Sequence, residues 1–387
     1  MSDIILTLVV AGVVGIVLWK LKVPGGMMVG AILGTAIFNI TLGRAHMPSE
    51  AKFIAQCLAG AFIGCSMGRD DVKEMKNLVK PAAILLGAVF TLNMILGTVI
   101  YMCSSMDILT SLLCAVPGGM SDVPIIASDM GADATKVALL QFVRMFTGIT
   151  IFPSFIIAMT RNEAAASGQS QGGAVHTASA PAGADQARTA AAGTDHANAK
   201  TAAAGTDQAN AKSADASEKK GHPQYAFPMT LAIALICGRI GKKLGIPAGT
   251  LVFSMIGVMI VNIRFGAAFL PKWAKRVAQV LSGAYIGCSV GASDIAALQY
   301  MVVPALLILL GYSVNCFIVG HILHSRCGFP LRLGFLIATP AGASDMALLS
   351  ADLGVESKEL VELQIIRMVV VVSVFPQVIS LIAKTFG

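Results

Sequence analysis

The chain is a string of apolar segments, most of them roughly 15 to 24 residues long, in which hydrophobic residues run on without alternating. A bilayer-spanning helix needs about 20 such residues. The lack of alternation argues against a β-barrel. Composition agrees. Charged residues make up 13% of the 387 residues, about half the roughly 25% of an average soluble domain. Mean hydropathy is +0.76, and so few charges cannot cover a water-soluble particle of this size. A soluble enzyme is excluded, and the class indicated is an all-α polytopic membrane protein. The formal charge of +7 is scattered over segment ends, so it reads as topology-setting charge, not as a nucleic-acid footprint. The eight cysteines lie in or beside apolar runs with no CxxC, as free packed thiols would. Met1-Ser2-Asp3 lacks the basic region of a signal peptide, which makes the first segment a retained helix.

Residues 161–223 break the pattern. They carry a duplicated unit, TAAAGTDHANAK at 189–200 and TAAAGTDQANAK at 201–212. Ala, Gly, Ser, Thr and Asp cannot bury enough apolar surface to offset chain entropy, so this stretch is expected to be a disordered tether. The flanking regions, 1–160 and 224–387, match each other at a constant offset of 223 residues. Lys20, Gln56, Gly60, Gly64, Pro81, Pro117, Gly119, Ser121, Asp122, Gln141, Arg144 and Pro153 recur as Lys243, Gln279, Gly283, Gly287, Pro304, Pro340, Gly342, Ser344, Asp345, Gln364, Arg367 and Pro376. The chain is an internal duplication, each half holding six apolar segments.

Lys and Arg placement tests whether the halves are parallel or inverted. Arg69, Lys73, Lys76 and Lys80 separate segments three and four of the first half, and the equivalent stretch of the second half has none. Between segments four and five the bias reverses, with Arg326 and Arg332 in the second half only. Lys20 and Lys22 against Lys242 and Lys243 disagree, being basic in both halves. Inversion is favoured, with about five crossings and a re-entrant broken helix in each repeat.

The strongest local signal is PGGMSDVP at 117–124 and PAGASDMA at 340–347. Pro removes a backbone donor, Gly is permissive, and Ser-Asp starts helices well. These residues specify a helix broken inside an apolar segment, with a half-helix starting near Ser121 and Ser344. Paired broken helices in two repeats point to a transporter site. Gly118, Gly119 and Gly342 shape the break. Ser121, Asp122, Ser344 and Asp345 are the candidates to hold substrate, Na⁺ or a proton. The alternative is a water-exposed turn with Asp as a plain N-cap.

Gln141 and Arg144, repeated as Gln364 and Arg367, share one helix face. Arg144 lies about 12 Å past Lys136 at 1.5 Å per residue. An arginine at that depth needs an interior partner. Asp122 and Asp345 are the natural ones, either as fixed bridges or with the arginines free for a substrate carboxylate. Gly at every fourth position after Gln56 and Gln279 makes a smooth face for close packing. Asn39, Asn262, Asn93 and Asn315 are expected to be interhelical hydrogen-bond glue. No catalytic motif, metal-ligand cluster or cofactor signature is present.

The duplicated PGG-x-S-[DE], the Asp129-Met-Gly-Ala-Asp133 stretch and the Gln-x-x-Arg helix resemble the AbrB-type duplicated membrane protein family. The second half departs slightly, with Asp352-Leu-Gly-Val-Glu356. The resemblance carries labels of transcriptional regulator and ammonia monooxygenase. Neither fits these residues: copper oxidation needs clustered histidines, and direct DNA binding needs a soluble basic module. The reading that follows is an inner-membrane secondary transporter of a small, anionic metabolite coupled to H⁺ or Na⁺. The alternative is a membrane-embedded regulator acting without transport. Its partners are the bilayer and a small-molecule or ion substrate, without nucleic acid, and a homo-oligomer is left open.

Overall fold

The computed structural model describes residues 2–21, 23, 25–148, 226–291, 298–340, 346 and 357–386. The expected tether at 161–223, and Gly342, Ser344 and Asp345, lie outside the described residues. Every described element is helical: α1 (Ser2–Lys20), α2 (Gly26–Leu42), α3 (Ser49–Cys65), α4 (Arg69–Cys103), α5 (Ile108–Cys114), α6 (Val123–Met130) and α7 (134–148). They are followed by α8 (Ala226–Lys243), α9 (Gly249–Phe265), α10 (Lys272–Gly287), a 3-10 turn (Leu298–Met301), α11 (Val302–Cys327), α12 (Leu331–Ala338) and α13 (Lys358–Phe386). Four helices are long and apolar enough to cross a membrane: Asp3–Lys20, Leu78–Cys103, Val302–Cys327 and Lys358–Thr385.

One boundary differs from the sequence expectation. The basic stretch from Arg69 to Lys80 does not separate two segments; it is the first three turns of α4, which runs on through Pro81. Asp71 supports that start by accepting the Gly68 backbone N–H at 2.6 Å.

The helices pack as two groups, and each group draws on both halves of the chain. In the first, α1 lies on α2, α3 on α9, α8 on α9, and α10 on α2 and α3. In the second, α4 packs against α5, α11 and α13, and α11 against α12. Leu85, Leu96, Ile125, Leu140, Ile308, Tyr312, Phe335 and Phe375 share the core of that second group. The groups meet where α9 touches α4 and α10 touches α6.

Glycine sets the spacing in the first group. A Cβ on Gly60 would sit 2.5 Å from the Leu251 carbonyl oxygen, and one on Gly64 2.6 Å from that of Met255. In the other half, Gly283 meets the Met28 oxygen at 2.7 Å and Gly287 the Ile32 oxygen at 2.7 Å. Each glycine column therefore packs on the second helix of the opposite half, backbone against backbone. These contacts also fix direction. Rising numbers in α3 meet rising numbers in α9, so those helices run parallel.

The contacts recur at the 223-residue offset with the halves exchanged. Asn39 Nδ2 donates to the carbonyls of Cys288 and Val290, each at 3.1 Å. Asn262 Nδ2 donates to those of Cys65 at 3.1 Å and Met67 at 3.0 Å. The equivalent long helices α4 and α11 run antiparallel: Lys80 Nζ donates to the Arg326 carbonyl at 2.7 Å, and Leu96 packs on Gly311. Asn93 bonds the Leu112 carbonyl at 3.0 Å. Asn315 departs from its expected role, since its amide nitrogen is buried without a hydrogen-bond partner among the described residues. The position equivalent to Asn93 is Cys316, whose thiol approaches the Phe335 carbonyl at 3.4 Å.

Gly60→Ala and Gly283→Ala must each push two backbones apart, at a cost of about 1–3 kcal/mol. Gly12→Ala, with nothing within 4 Å of the added methyl, should leave the unfolding midpoint unchanged or raise it. Thermal unfolding in detergent distinguishes them, and equal midpoints for all three would refute close packing of the columns.

Candidate functional site

The break at 117–124 forms because the backbone there cannot continue a helix. Asp107 opens α5 by accepting the Thr110 N–H at 2.9 Å. After one and a half to two turns (about 3.6 residues each), Pro117 and two glycines end the ladder. Residue Val123 starts α6, with Asp122 at the N-cap position and Pro124 in the first turn, two residues later than the Ser121 start expected. Gly131, at φ 81°, ends α6 in the left-handed conformation that favours glycine. The chain then returns to its starting end: the Asp133 N–H donates to Thr110 Oγ1 at 3.0 Å. Residues 108–133 are thus a hairpin of two half-helices, in and back out. Asp133 also caps α7, accepting from the Thr135 and Lys136 amides at 3.1 Å each and pairing with Lys136 at 2.9 Å.

Breaking a helix strands its carbonyls, and side chains of neighbouring helices collect them. Gln141 Nε2 of α7 donates to Val116 O at 2.9 Å and Leu113 O at 3.4 Å. The Arg144 guanidinium donates through Nη1 to Val116 O and through Nη2 to Gly118 O, the latter at 2.5 Å. Tyr312 of α11 donates to Ala115 O at 2.7 Å. In the second half Gln364 donates to Leu336 O at 3.3 Å and Ile337 O at 3.1 Å, and Arg367 to Thr339 O at 2.8 Å. Thr339 is the repeat equivalent of Val116. A cation on the C-terminal carbonyls of a half-helix is favourable both as a donor and against the helix dipole.

Of the two alternatives for Arg144, a fixed bridge to Asp122 is not formed; Asp345, the other candidate partner, lies outside the described residues. Arg144 is 6% exposed and bound to backbone carbonyls, and no carboxylate lies within ion-pair distance of it among the described residues. The partner that burial demands is the broken backbone itself. Tyr312 stands within electrostatic reach of both Arg144 and Arg367, with the Arg144 Cζ 5.8 Å from its ring centre.

The tip of the hairpin faces the other half. Gln279 Nε2 of α10 donates to Ser121 Oγ at 3.3 Å. Lys275, one turn earlier on α10, is the cation whose charge acts on Asp122, and its Nζ lies 4.1 Å from the centre of the Phe62 ring. Asp122 is 6% exposed, and its carboxylate lies over Gly119, where a Cβ would strike it. It caps no helix N–H, and no hydrogen bond or ion pair reaches its carboxylate among the described residues. The alternative of a water-exposed turn with Asp as plain N-cap is therefore set aside. The site unites Ser121 and Asp122 with Gln279 and Lys275, while Gln141 and Arg144 stand behind the break as braces. Gly118 and Gly119 are half-buried at the tip.

Lys275 and its equivalent Lys52 were not singled out in the sequence, nor was Glu362, which is buried on α13. The signal for the lysines was present. Lys52, Gln56, Gly60 and Gly64 form an i, i+4 column, repeated as Lys275, Gln279, Gly283 and Gly287, so the polar pair shares the face that meets the opposite half.

These features define a class: a helical membrane protein built around a broken hairpin that is braced from behind and touched at its tip by the opposite half. The chain belongs to the AbrB family, whose pattern, described as "Transition state regulatory protein AbrB", matches residues 1–160 and 179–383. The second matched stretch begins inside the region expected to be tether. The chain is 25% identical over 383 residues to "Uncharacterized protein YhjN" of Bacillus subtilis (strain 168), covering 94% of this chain and 89% of that protein. It is 25% identical over 158 residues to "Putative regulator AbrB" of Escherichia coli (strain K12), covering 39% of this chain and 44% of that one. No solved structure matches.

If Asp122 and Arg144 are not bridged, their substitutions should be additive. Arg144→Gln orphans the Gly118 carbonyl, at about 1–3 kcal/mol, and leaves Val116 O to Gln141 alone. Asp122→Asn should add its own effect to within about 0.5 kcal/mol. A double-mutant cycle by thermal unfolding checks this; strong coupling, with the double variant more stable than Arg144→Gln alone, would restore the bridge.

Proposed function

We propose that the protein is an inner-membrane secondary transporter of a small organic anion, coupled to H⁺ or Na⁺ through the Asp122 and Asp345 carboxylates. The observation that carries this reading is the buried hairpin tip, where Ser121 and Asp122 meet Lys275 and Gln279 of the other half. A buried carboxylate without a hydrogen-bonding partner among the described residues is costly, and such groups are characteristic of ion or proton pathways. Non-helical backbone at membrane depth is tolerated where it is enclosed by protein or lines a wet cavity. The division into two helix groups, which meet along a shared core, is compatible with movement of one group against the other around a central site.

Inversion of the repeats belongs to the same proposal. Antiparallel α4 and α11 are repeat equivalents, so a common bilayer would place equivalent ends on opposite sides. The end that carries Arg69, Lys80, Arg264, Lys272, Arg276 and Arg326 holds the larger share of Lys and Arg, which assigns it to the cytoplasm. Cys103 at the end of α4 and Cys327 at the end of α11 then face opposite sides. With the other cysteines replaced, a membrane-impermeant maleimide should label Cys103 in intact cells and Cys327 only after permeabilisation. Labelling of both from outside would overturn inversion.

Transport is tested in proteoliposomes given a Na⁺ or H⁺ gradient and radiolabelled short carboxylates. The expected outcome is gradient-driven accumulation that falls to the protein-free rate in Asp122→Asn plus Asp345→Asn. Flux unchanged by those substitutions would sink the mechanism. The competing reading, a membrane-embedded regulator acting without transport, is carried by the name of the Escherichia coli relative. It expects regulation to survive both substitutions.

A further inference from the structure

A cleft of about 610 Å³ opens between the two helix groups, away from the Ser121–Asp122 tip. From the first group it takes Lys52 and Gln56 of α3, Lys242 at the end of α8 and Tyr285 of α10; from the second, Asp129 of α6 and Lys384 of α13. Three ammonium groups thus face one carboxylate among the described lining residues. That carboxylate is already engaged, since Lys52 Nζ lies 3.2 Å from Asp129 Oδ1. Aromatic faces hold two of the cations in place: Lys52 lies 5.5 Å from the centre of the Tyr285 ring and Lys242 5.5 Å from that of Phe53. Gln56 is 2% exposed, and its amide Nε2 has no acceptor among the described residues. A buried donor left unpaired beside surplus positive charge lacks one thing, an anionic acceptor.

We propose that this cleft binds a small organic anion bearing one or two carboxylates, held by Lys52, Lys242, Lys384 and the Gln56 amide. The surplus of two positive charges among the described lining residues suits a dicarboxylate. Lysine point charges accommodate variable carboxylate spacing, whereas the planar arginine fork that favours bidentate phosphate is absent from the described lining. By the sidedness assigned above, the cleft faces the extracytoplasmic side, where it would receive the substrate; that purpose rests on the transport reading, but binding itself does not.

Succinate is the probe. Titrated into the purified full-length protein in uncharged detergent, it should raise the unfolding midpoint saturably. Lys242→Gln plus Lys384→Gln should weaken the apparent affinity about tenfold or more, with the ligand-free midpoint unchanged. Lys242→Arg plus Lys384→Arg should retain it, which separates lost charge from lost folding. No saturable shift, or equal shifts in the wild type and the Gln pair, would overturn the proposal. A membrane phosphate is the other source of negative charge at such a site. If phosphatidylglycerol nanodiscs abolish the succinate shift, phosphatidylcholine nanodiscs keep it, and the Gln pair is indifferent to phosphatidylglycerol, the occupant is a lipid headgroup and the proposal fails. Because binding is read without a gradient, Asp122→Asn should leave it intact. Succinate binding with no flux of any carboxylate would count against transport alone.

Discussion

The structure depends on how a helix can be broken inside an apolar protein without stranding its backbone. Five side chains answer that in the first half. Asn93, Gln141, Arg144 and Tyr312 take the carbonyls of residues 112, 113, 115, 116 and 118, and Thr110 closes the hairpin base. Each unsatisfied carbonyl in that setting would cost several kcal/mol. The donors come from α4, α7 and α11, so the break exists only when both halves are folded around it. Tyr312 belongs to the second half and braces the first.

The bracing also explains the division of labour along the first hairpin. On the carbonyl side of the break five carbonyls have side-chain donors, whereas the Ser121–Asp122 side keeps a weak 3.3 Å contact with Gln279 and a carboxylate with no hydrogen bond among the described residues. Fixed donors on one side and open acceptors on the other make a tip that holds its shape and retains capacity for a ligand. The glycine columns supply the second requirement. They let α3 and α10 lie against α9 and α2 at backbone distance, which carries Lys275 and Gln279 up to the tip of the opposite half.

Much of this was legible in the sequence, and what was not has identifiable causes. The duplication, the breaks at Pro117 and Pro340, and the buried Gln-x-x-Arg pairs stand out because each violates an apolar run. The carbonyl partners of Arg144 are not legible because carboxylates are visible as letters, whereas an orphaned carbonyl is present at every residue and leaves no mark. Lys52 and Lys275 were passed over for the opposite reason. Near helix starts they look like ordinary topology-setting charge, and only their i+4 relation to Gln56 and Gln279 distinguishes them. The helical start of α4 was hidden by polar residues that favour solvent and helix equally.

Backbone carbonyls solvate a guanidinium without cancelling its charge. Had Asp122 bridged Arg144, both charges would be spoken for. With Arg144 on Val116 and Gly118, the positive charge persists beside Tyr312, and Asp122 persists as a separate buried anion near Lys275. Separated charges of both signs in a low-dielectric interior are expensive, each being worth far more to an incoming counter-charge than it would be in water. A site that binds an anion and a cation together recovers part of both costs at once. On the proposed transport reading, the absence of an Asp122–Arg144 bridge suits coupled binding, because the two charges that simple stability would have joined stay apart.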